Sequence, residues 1–556
     1  MRPKILVLGG GFAGLFAAKE MRRTLRDAAE IEIINSENYF VFQPLLPEVA
    51  AGSIAPTHAV SPLRYLLRGV AVRKARIESV DFDRKVVTVF QGVQRRPTKV
   101  SYDQLIIALG QATDLSRIPG MAEHGLTMKT LEDARRLRAH VIERLEHAEI
   151  TSSPEIKRGA LTFCVIGGGF SGIETVGEIK ELIDRSLKFY RKIRPEEIRV
   201  LTLEFADRIL GEMPATLAEY AAANLRTRGI EIRLKTGVAS ATGTQLVTSA
   251  GEVIDTRTIV ATIGSAPSRT VREMELPLQN GRIAVERTLQ VPGRNDVWAL
   301  GDCALIPLKE KARDPADFAP PTAQFAVREA RHLARNMAAA LQSRPLARFC
   351  YASQGSLASL GAHRGVAEVR GRRLSGFPAW LLWRAYYLML LPGPSTRMRV
   401  LANWLLDALS ARNVVVLRSH DTQSVRHALY RAGDRVFEAG SRADGVYTVI
   451  EGEMELRLSD EETGKEIVRS IGPGEHFGES LILGDHLRLG TVRAVTDSRV
   501  LITDREAFLM LADGYSFLGE YFRKRIREVY DLDWTPGQTL KWPRGAREPA
   551  ENAAQV

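Results

Sequence analysis

Two glycine-rich hexapeptides carry the first chemistry in this chain. Gly9-Gly10-Gly11-Phe12-Ala13-Gly14 follows the apolar run of residues 5–8. Gly167-Gly168-Gly169-Phe170-Ser171-Gly172 follows residues 163–166, 158 positions further on. Each fits a strand, a G-x-G-x-x-G turn and then a helix. There the glycines let backbone approach a pyrophosphate, and the helix N-terminus offers unpaired N–H groups and a partial positive charge. One such hexapeptide is a weak signal. Two, each after an apolar run, imply two dinucleotides on one protein, the layout for passing hydride from a nicotinamide to a flavin.

The surrounding elements are laid out to position both loops. Residues 4–34 fit strand, loop, helix and strand. Residues 160–205 repeat that plan, with a long helix from 173 to about 189. Apolar strands ending in glycine are expected at 100–110, 257–264 and 295–301. The second βαβ unit is therefore inserted between parts of the first. The fold class is α/β, with two Rossmann-like dinucleotide-binding domains, and it resembles the flavoprotein disulfide reductase architecture. The expected boundaries are 1–120 and 276–350 for the FAD-binding domain and 121–275 for the NADH-binding domain. A membrane-anchor region at 351–420, a cyclic-nucleotide-binding barrel at 421–530 and a disordered tail at 531–556 follow.

In that frame Gly9, Gly11, Phe12, Ala13 and Gly14 hold FAD. The ribose-binding acid usual at the end of the second strand is replaced by Asn35, whose amide can still bond a hydroxyl; Glu37 is a weaker substitute. Val297-Trp298-Ala299-Leu300-Gly301-Asp302 resembles the strand ending that places an aspartate on the flavin's ribitol chain. A carboxylate after a buried strand is costly unless paired. Ala108-Leu109-Gly110 resembles the matching turn at the neighbouring strand end. Gly167, Gly169, Phe170, Ser171, Gly172 and Gly264 face NADH. Glu204 ends the strand at 200–203, where an acid can bond both ribose hydroxyls and repel a 2′-phosphate. Arg208 nearby leaves NADPH open. The spacing from Gly172 to Glu204 is long, so the helix or its loop must be extended.

Four segments sharpen the resemblance. Phe42-Gln43-Pro44-Leu45-Leu46-Pro47-Glu48-Val49-Ala50, Gly169–Ile179, Pro321-Thr322-Ala323-Gln324-Phe325-Ala326 and Gly376–Trp383 are similar, in this order, to the type II NADH dehydrogenases. The likeness covers about residues 1–420. It implies non-proton-pumping transfer from NADH through FAD to a membrane quinone of a respiratory chain. It also implies that Glu178 lies where nicotinamide and flavin meet, orienting the nicotinamide or relaying a proton. Gln43, Pro44, Leu45, Leu46 and Ala323 belong to the flavin side, and Gln324 lies beside the isoalloxazine at the quinone end.

Residues 364–418 hold nine Arg, no Lys, two acids and half of the six tryptophans. The apolar run 377–391 is short for a spanning helix. With Trp380, Trp383, Tyr386, Tyr387 and flanking arginines, it fits an amphipathic helix lying in an anionic leaflet, joined by a second at 398–409 with Trp404. A dimer interface or core helix is the alternative. Peripheral attachment to the cytoplasmic face of the inner membrane is the expectation, with a homodimer left open.

Residues 421–530 turn to short alternating segments with glycine turns, an all-β pattern. Phe477-Gly478-Glu479-Ser480-Leu481-Ile482-Leu483, Arg488 and Thr491-Val492-Arg493-Ala494 resemble the cassette of cyclic-nucleotide-binding domains. The resemblance implies that Glu479 bonds the ribose and Arg488 the cyclic phosphate. Leu487 and Gly490 replace the common Pro and Ala, so a ligand-free barrel stays open. Leu489 offers guanine no hydroxyl, which favours cAMP.

Charge agrees with this division. Residues 421–556 carry 18 Lys and Arg against 24 Asp and Glu, a charge of −6, which leaves +17 of the total +11 on residues 1–420. A basic front part favours an anionic surface, and no nucleic-acid motif is present. The start shows no basic stretch followed by an apolar one, which argues against a cleaved signal. Cys164, Cys303 and Cys350 lack metal or C-x-x-C spacing and fit a reducing compartment. Three rivals remain at this stage. One is a sulfide:quinone reductase, which needs a redox-active cysteine pair. Another is a reductase of a soluble acceptor, and the third a non-enzymatic redox and cAMP sensor.

Overall fold

Lys4–Leu8 lies inside a seven-stranded sheet, with Ile5, Leu6, Val7 and Leu8 fully buried. The computed structural model describes residues 2–92, 96–409, 412–416, 425–439, 443, 445–459, 466–478, 488, 490–504, 507–508, 520–521, 524 and 527. The stretch 531–556, expected to be disordered, lies outside the described residues. Contacts divide the chain into two units. Met1–Leu115, Leu126–Gly237 and Thr258–Val416 form the first; Ser116–Gly125, Val238–Arg257 and Leu417–Val556 form the second.

In the first unit the strand order is Val297–Ala299, Gln104–Ile107, Lys4–Leu8, Glu30–Asn35, Ala71–Asp81, Val86–Gln91, Arg96–Ser101. The first five are parallel and the last two pair antiparallel. Both faces of a parallel sheet must be covered, which is why its strands are continuous apolar runs. The Phe12–Leu25 helix covers one face and packs on the Ala323–Ala340 helix. The apolar run expected at 100–110 is broken, because chain from Arg96–Ser101 turns before Gln104–Ile107.

A second, five-stranded sheet runs Gly125–Thr127, Thr258–Ala261, Thr162–Ile166, Arg199–Leu203, Ile230–Arg233. It is inserted in sequence between two strands of the first. The extra length before Glu204 goes into the Phe170–Ser186 helix and the short turns Leu187–Phe189 and Pro195–Glu197.

Residues 355–376 form a three-stranded antiparallel sheet, Gly355–Gly361, Arg364–Val369 and Arg372–Gly376, which the sequence pattern did not announce. Helices Phe377–Leu390 and Pro394–Leu409 follow. The expectation that their tryptophans face an interface is corrected. Trp380, Trp383 and Trp404 are buried: the Trp383 and Trp404 indole N–H groups find carboxylates inside, and the Trp380 ring packs against the Arg384 guanidinium. The outward residues are instead Phe377, Leu381, Met389, Met398, Leu401, Leu405, Leu406 and Leu409. Among the described residues, no helix is long and apolar enough to cross a membrane.

The second unit holds a three-stranded antiparallel sheet, Val238–Ala241, Gln245–Thr248 and Val253–Asp255. It also holds two four-stranded antiparallel sheets. One runs Val425–Tyr430, Ser498–Asp504, Gly445–Glu451, His476–Phe477; the other Arg435–Phe437, Gly490–Ala494, Met454–Ser459, Glu466–Ile471. They share a core that includes Tyr447, Val449, Met454, Ile471, Phe477 and Val492. Leu429 N donates to His124 Nε2 at 3.2 Å within the same unit.

Candidate functional site

The first glycine loop is shaped by close backbone approach. Gly9 has φ +102°, and a Cβ there would stand 2.3 Å from the Ala108 carbonyl oxygen. A Cβ on Gly14 would stand 1.9 Å from the Gly9 carbonyl oxygen, while one on Gly11 would meet nothing within 4 Å. Gly11 is also the N-cap of the Phe12–Leu25 helix, and no side chain caps it. The loop is thus closed behind and open in front of an uncapped helix end, which is the shape an anion requires. Asn35 Oδ1 accepts from Gly10 N at 2.8 Å, and its Nδ2 donates to the Glu37 carbonyl at 2.9 Å. Glu37 is exposed.

The second loop repeats this geometry. Gly167 has φ +108°, a Cβ on Gly172 would stand 1.8 Å from the Gly167 carbonyl oxygen, and Gly169 faces open space. Gly169 caps the Phe170–Ser186 helix without a side-chain bond, and Phe170 and Ser171 start it. Glu204 takes the place of Asn35: one carboxylate oxygen accepts from Gly168 N and the other from Ala206 N at 2.7 Å. Arg208 donates to the Gly211 carbonyl. Gly264, φ +83°, sits where a Cβ would stand 2.6 Å from the Asp114 carbonyl oxygen.

The strand end at Gly301 and Asp302 meets the first loop. Gly301 has φ +73°, and a Cβ there would lie 2.6 Å from Ala13 Cβ. Burial raises the Asp302 carboxyl, with Lys129 and then Arg282 pulling it back. Gln43 Nε2 donates to the Lys129 carbonyl at 3.2 Å, which brings the Gln43–Leu45 turn, with Pro44 and Leu45, to the same side. Leu46 begins the next helix, Leu46–Ala50. Gly110, φ +63°, has open space at its Cβ position. Ala323 and Gln324 open the Ala323–Ala340 helix, where Gln324 Oε1 accepts from Ser353 Oγ at 3.3 Å.

Glu178 is buried, and its Oε2 has no hydrogen-bond partner among the described residues. The nearest cation is Arg412, whose Nη1 lies 3.7 Å away. Burial pushes the Glu178 carboxyl up to about 7, with Arg412 the strongest opposing influence. Its helix packs on Leu46–Ala50, which brings Glu48 into the same interior. Trp404 Nε1 donates to Glu48 Oε2 at 3.0 Å and Arg384 Nη2 to Oε1 at 3.3 Å. The Arg384 guanidinium also lies between the Trp380 and Trp404 rings, 4.1 and 4.6 Å from their centroids. Glu174, pushed up to about 8 by burial, accepts from Trp383 Nε1 at 2.8 Å and Ser359 N at 3.1 Å.

Sequence reasoning did not single out Glu48, Glu174, Arg412 or Glu329 as site residues. Glu329 accepts from Gly301 N at 2.8 Å and is pushed up to about 7 by burial, so it fixes the turn that carries Asp302. The available signal was an acid inside an apolar helical run, as in Leu46-Pro47-Glu48-Val49 and Ile173-Glu174-Thr175-Val176. That pattern marks a buried charge only when its partner is also known.

In the β-rich unit Phe477 stacks on Tyr447, 5.0 Å between centroids. The buried Arg488 guanidinium lies 4.0 Å from the Phe437 centroid and donates to the Gly478 and Gly445 carbonyls, both at 2.8 Å. Glu479, Ser480 and Leu489 lie outside the described residues.

Cys164, Cys303 and Cys350 form no disulfide. Cys164 and Cys303 are buried, and burial pushes the Cys303 thiol up to about 11, away from the reactive thiolate. Among the described residues no cluster of His, Cys, Asp and Glu could hold a metal ion.

Comparison with known proteins places these features. The pyridine nucleotide-disulphide oxidoreductase family model matches residues 3–330, the NDH2 C-terminal domain model 353–413 and the cyclic nucleotide-binding domain model 428–515. The type II NADH:quinone oxidoreductase Ndh of Mycobacterium tuberculosis is 32% identical over 429 residues, 74% of this chain and 89% of that protein. The demethylphylloquinone reductase NdbB of Synechocystis is 30% identical over 73% of this chain and 97% of that one. A solved structure of NDH2 from Plasmodium falciparum in complex with NADH aligns with a TM-score of 0.69 at 21% identity, covering 75% of this chain and all of that one. The sulfide:quinone oxidoreductase of Aquifex aeolicus shares the fold with a TM-score of 0.57 at 19% identity, over 73% of this chain and 94% of that one.

Proposed function

The chain belongs to the type II NADH:quinone oxidoreductases, within the pyridine nucleotide-disulphide oxidoreductase family, and from that premise we propose how its residues share the work. It is an FAD-dependent NADH:quinone reductase. Bound FAD would supply the two-electron relay between NADH and the quinone. The loop of Gly9, Gly11 and Gly14 cradles the pyrophosphate of FAD, and Asp302 faces its ribitol chain. The loop of Gly167, Gly169 and Gly172 cradles NADH, and Glu204 selects it over NADPH by charge. Catalysis is mainly the orientation of two dinucleotides. Glu178 supplies the proton handling that quinone reduction requires, and Gln324 lines the quinone end.

One observation carries this reading. The helix that starts at the second glycine loop meets the helix that follows the flavin-side turn, and there Glu178 keeps a buried oxygen without a hydrogen bond. The test is anaerobic addition of NADH to the purified yellow protein. Bleaching of the flavin bands, then recolouring by a short-chain quinone analogue, is expected. A colourless protein that does not take up FAD overturns the reading.

The outward apolar faces of helices Phe377–Leu390 and Pro394–Leu409 fit peripheral attachment to an anionic bilayer, with the quinone arriving from the lipid. A cytoplasmic placement follows from where NADH is supplied. The β-rich unit is proposed to bind a cyclic nucleotide, with cAMP the favoured one, and to tune turnover. Turnover at saturating NADH and quinone, with and without cAMP, reads that effect; identical kinetics with cAMP bound defeat the tuning.

A further inference from the structure

We propose that Arg412 is a positioning residue for Glu178, supplying the counter-charge that opposes protonation of this buried carboxylate. This role rests on Glu178 being the proton-handling group of NADH:quinone reduction.

Arg412 is 5% exposed and Glu178 6%. Arg412 joins three elements. Its Nη1 donates to the Ala51 carbonyl at 2.8 Å, just past the Leu46–Ala50 helix, and lies 3.7 Å from Glu178 Oε2 on the Phe170–Ser186 helix. Its Nε lies 3.4 Å from Asp407 Oδ1 on the Pro394–Leu409 helix. Arg185 fixes Asp407 from the other side, with Nη1 to Oδ2 at 2.8 Å and Nη2 to the backbone carbonyl at 2.6 Å. The remaining charges that act on Glu178 are Glu48, Glu174 and Glu181, which disfavour its ionisation, and Arg384, which favours it. Arg384 is committed to Glu48, and Arg228 to Glu181 and the Gly177 carbonyl. Among the described residues Arg412 is therefore the strongest cationic influence against burial at Glu178, with Arg384 the weaker one.

The 3.7 Å separation is a charge contact and not a hydrogen bond. Its effect depends on the sign of the group at 412 more than on its shape. An opposite charge at this range moves a buried carboxylate by about 1–3 pH units. Arg412→Gln removes the cation. Arg412→Lys keeps it while losing the fork that also reaches Ala51. Asp407→Asn removes the anion that competes for Arg412, so it must act with the opposite sign.

The experiment uses the full chain loaded with FAD. The protonated Glu178 carbonyl stretch is assigned by infrared spectroscopy as the band lost in Glu178→Gln, then titrated against pH. Arg412→Gln is expected to shift that titration upward by about one unit or more, Arg412→Lys by less than half as much, and Asp407→Asn downward. The pH profile of kcat should shift in the same directions, with KM for NADH within about twofold. Unchanged titration in Arg412→Gln overturns the assignment. Should that variant fail to accumulate folded, an unchanged or upward shift in Asp407→Asn overturns it instead. The infrared titration needs no turnover, so a protein inactive toward quinone would sink the reading of the reaction and leave this test decisive.

Discussion

The indole N–H of Trp404 donates to Glu48 Oε2 at 3.0 Å across 356 residues of sequence, and both side chains are buried. A helix that reads as a surface anchor is in this way fastened to the Leu46–Ala50 helix from within. Trp404→Phe keeps an aromatic ring, smaller by the pyrrole, and removes the donor. It leaves a buried carboxylate oxygen short of a partner, at a cost of about 1–3 kcal/mol. The urea midpoint should fall accordingly. Trp380→Phe, whose ring contributes a cation–π contact with Arg384, should cost only about 0.5–1 kcal/mol. Equal losses in the two variants would contradict the hydrogen bond's importance.

The two glycine loops make separable predictions. Gly14→Ala drives a methyl group into the Gly9 carbonyl and should yield protein purified without flavin. Gly172→Ala does the same at Gly167 and should leave the protein yellow, while raising KM for NADH at least about tenfold, or roughly 1.4 kcal/mol. Flavin content and NADH bleaching, measured side by side, check both. A colourless Gly172→Ala protein with a yellow Gly14→Ala protein would reverse the assignment of the loops.

Stability should fall as pH rises across the neutral range. The folded chain keeps a proton on Glu174 up to about 8, while the same carboxyl has an ordinary value of 4.5. Between those values the folded state binds more protons than the unfolded one, so unfolding is favoured by raising the pH. The contribution is complete below the ordinary value and gone above the raised one. Glu178 and Glu329, each pushed up to about 7, act in the same direction. Glu174→Gln keeps an oxygen for Trp383 and Ser359 and removes the titration. Its urea midpoint should change less than wild type between about pH 5 and about pH 8.

The outward leucines offer a test of membrane docking. Leu406 is 60% exposed and Leu409 87%. Burying one leucine side chain is worth about 1.5–3 kcal/mol. Leu406→Glu and Leu409→Glu should each weaken co-sedimentation with phosphatidylglycerol vesicles by about tenfold or more, while reduction of a water-soluble quinone stays at wild-type rate. Undiminished vesicle binding by both variants would show that this face is not the docking surface.

The features most legible in the sequence were those that the backbone itself demands over a few residues. Gly9 and Gly167 need positive φ, and Gly14 and Gly172 need a missing Cβ, so the loops announce themselves. The insertion of one βαβ unit into another was equally readable from apolar runs ending in glycine. The buried cluster was not, because Glu48, Glu174 and Arg412 come from distant segments and acquire meaning only when packed together. Trp383 and Trp404 misled for a related reason. An amphipathic ring suits lipid headgroups and a buried carboxylate equally well, and only the tertiary partner decides. The sheet at 355–376 was hidden by arginines at Arg364, Arg370, Arg372 and Arg373, which are solvent-facing and mask the alternation.

Arg412 stands four residues before the first unit ends at Val416. A chain cut at Leu409 and one cut at Val416 differ by a handful of residues, yet only the longer one retains the guanidinium beside Ala51, Asp407 and Glu178. Arg412 therefore belongs by its chemistry to the first unit, although it lies beyond that unit's last helix. A chain whose C-terminal part is replaced keeps this charge pairing only when the graft begins beyond Arg412.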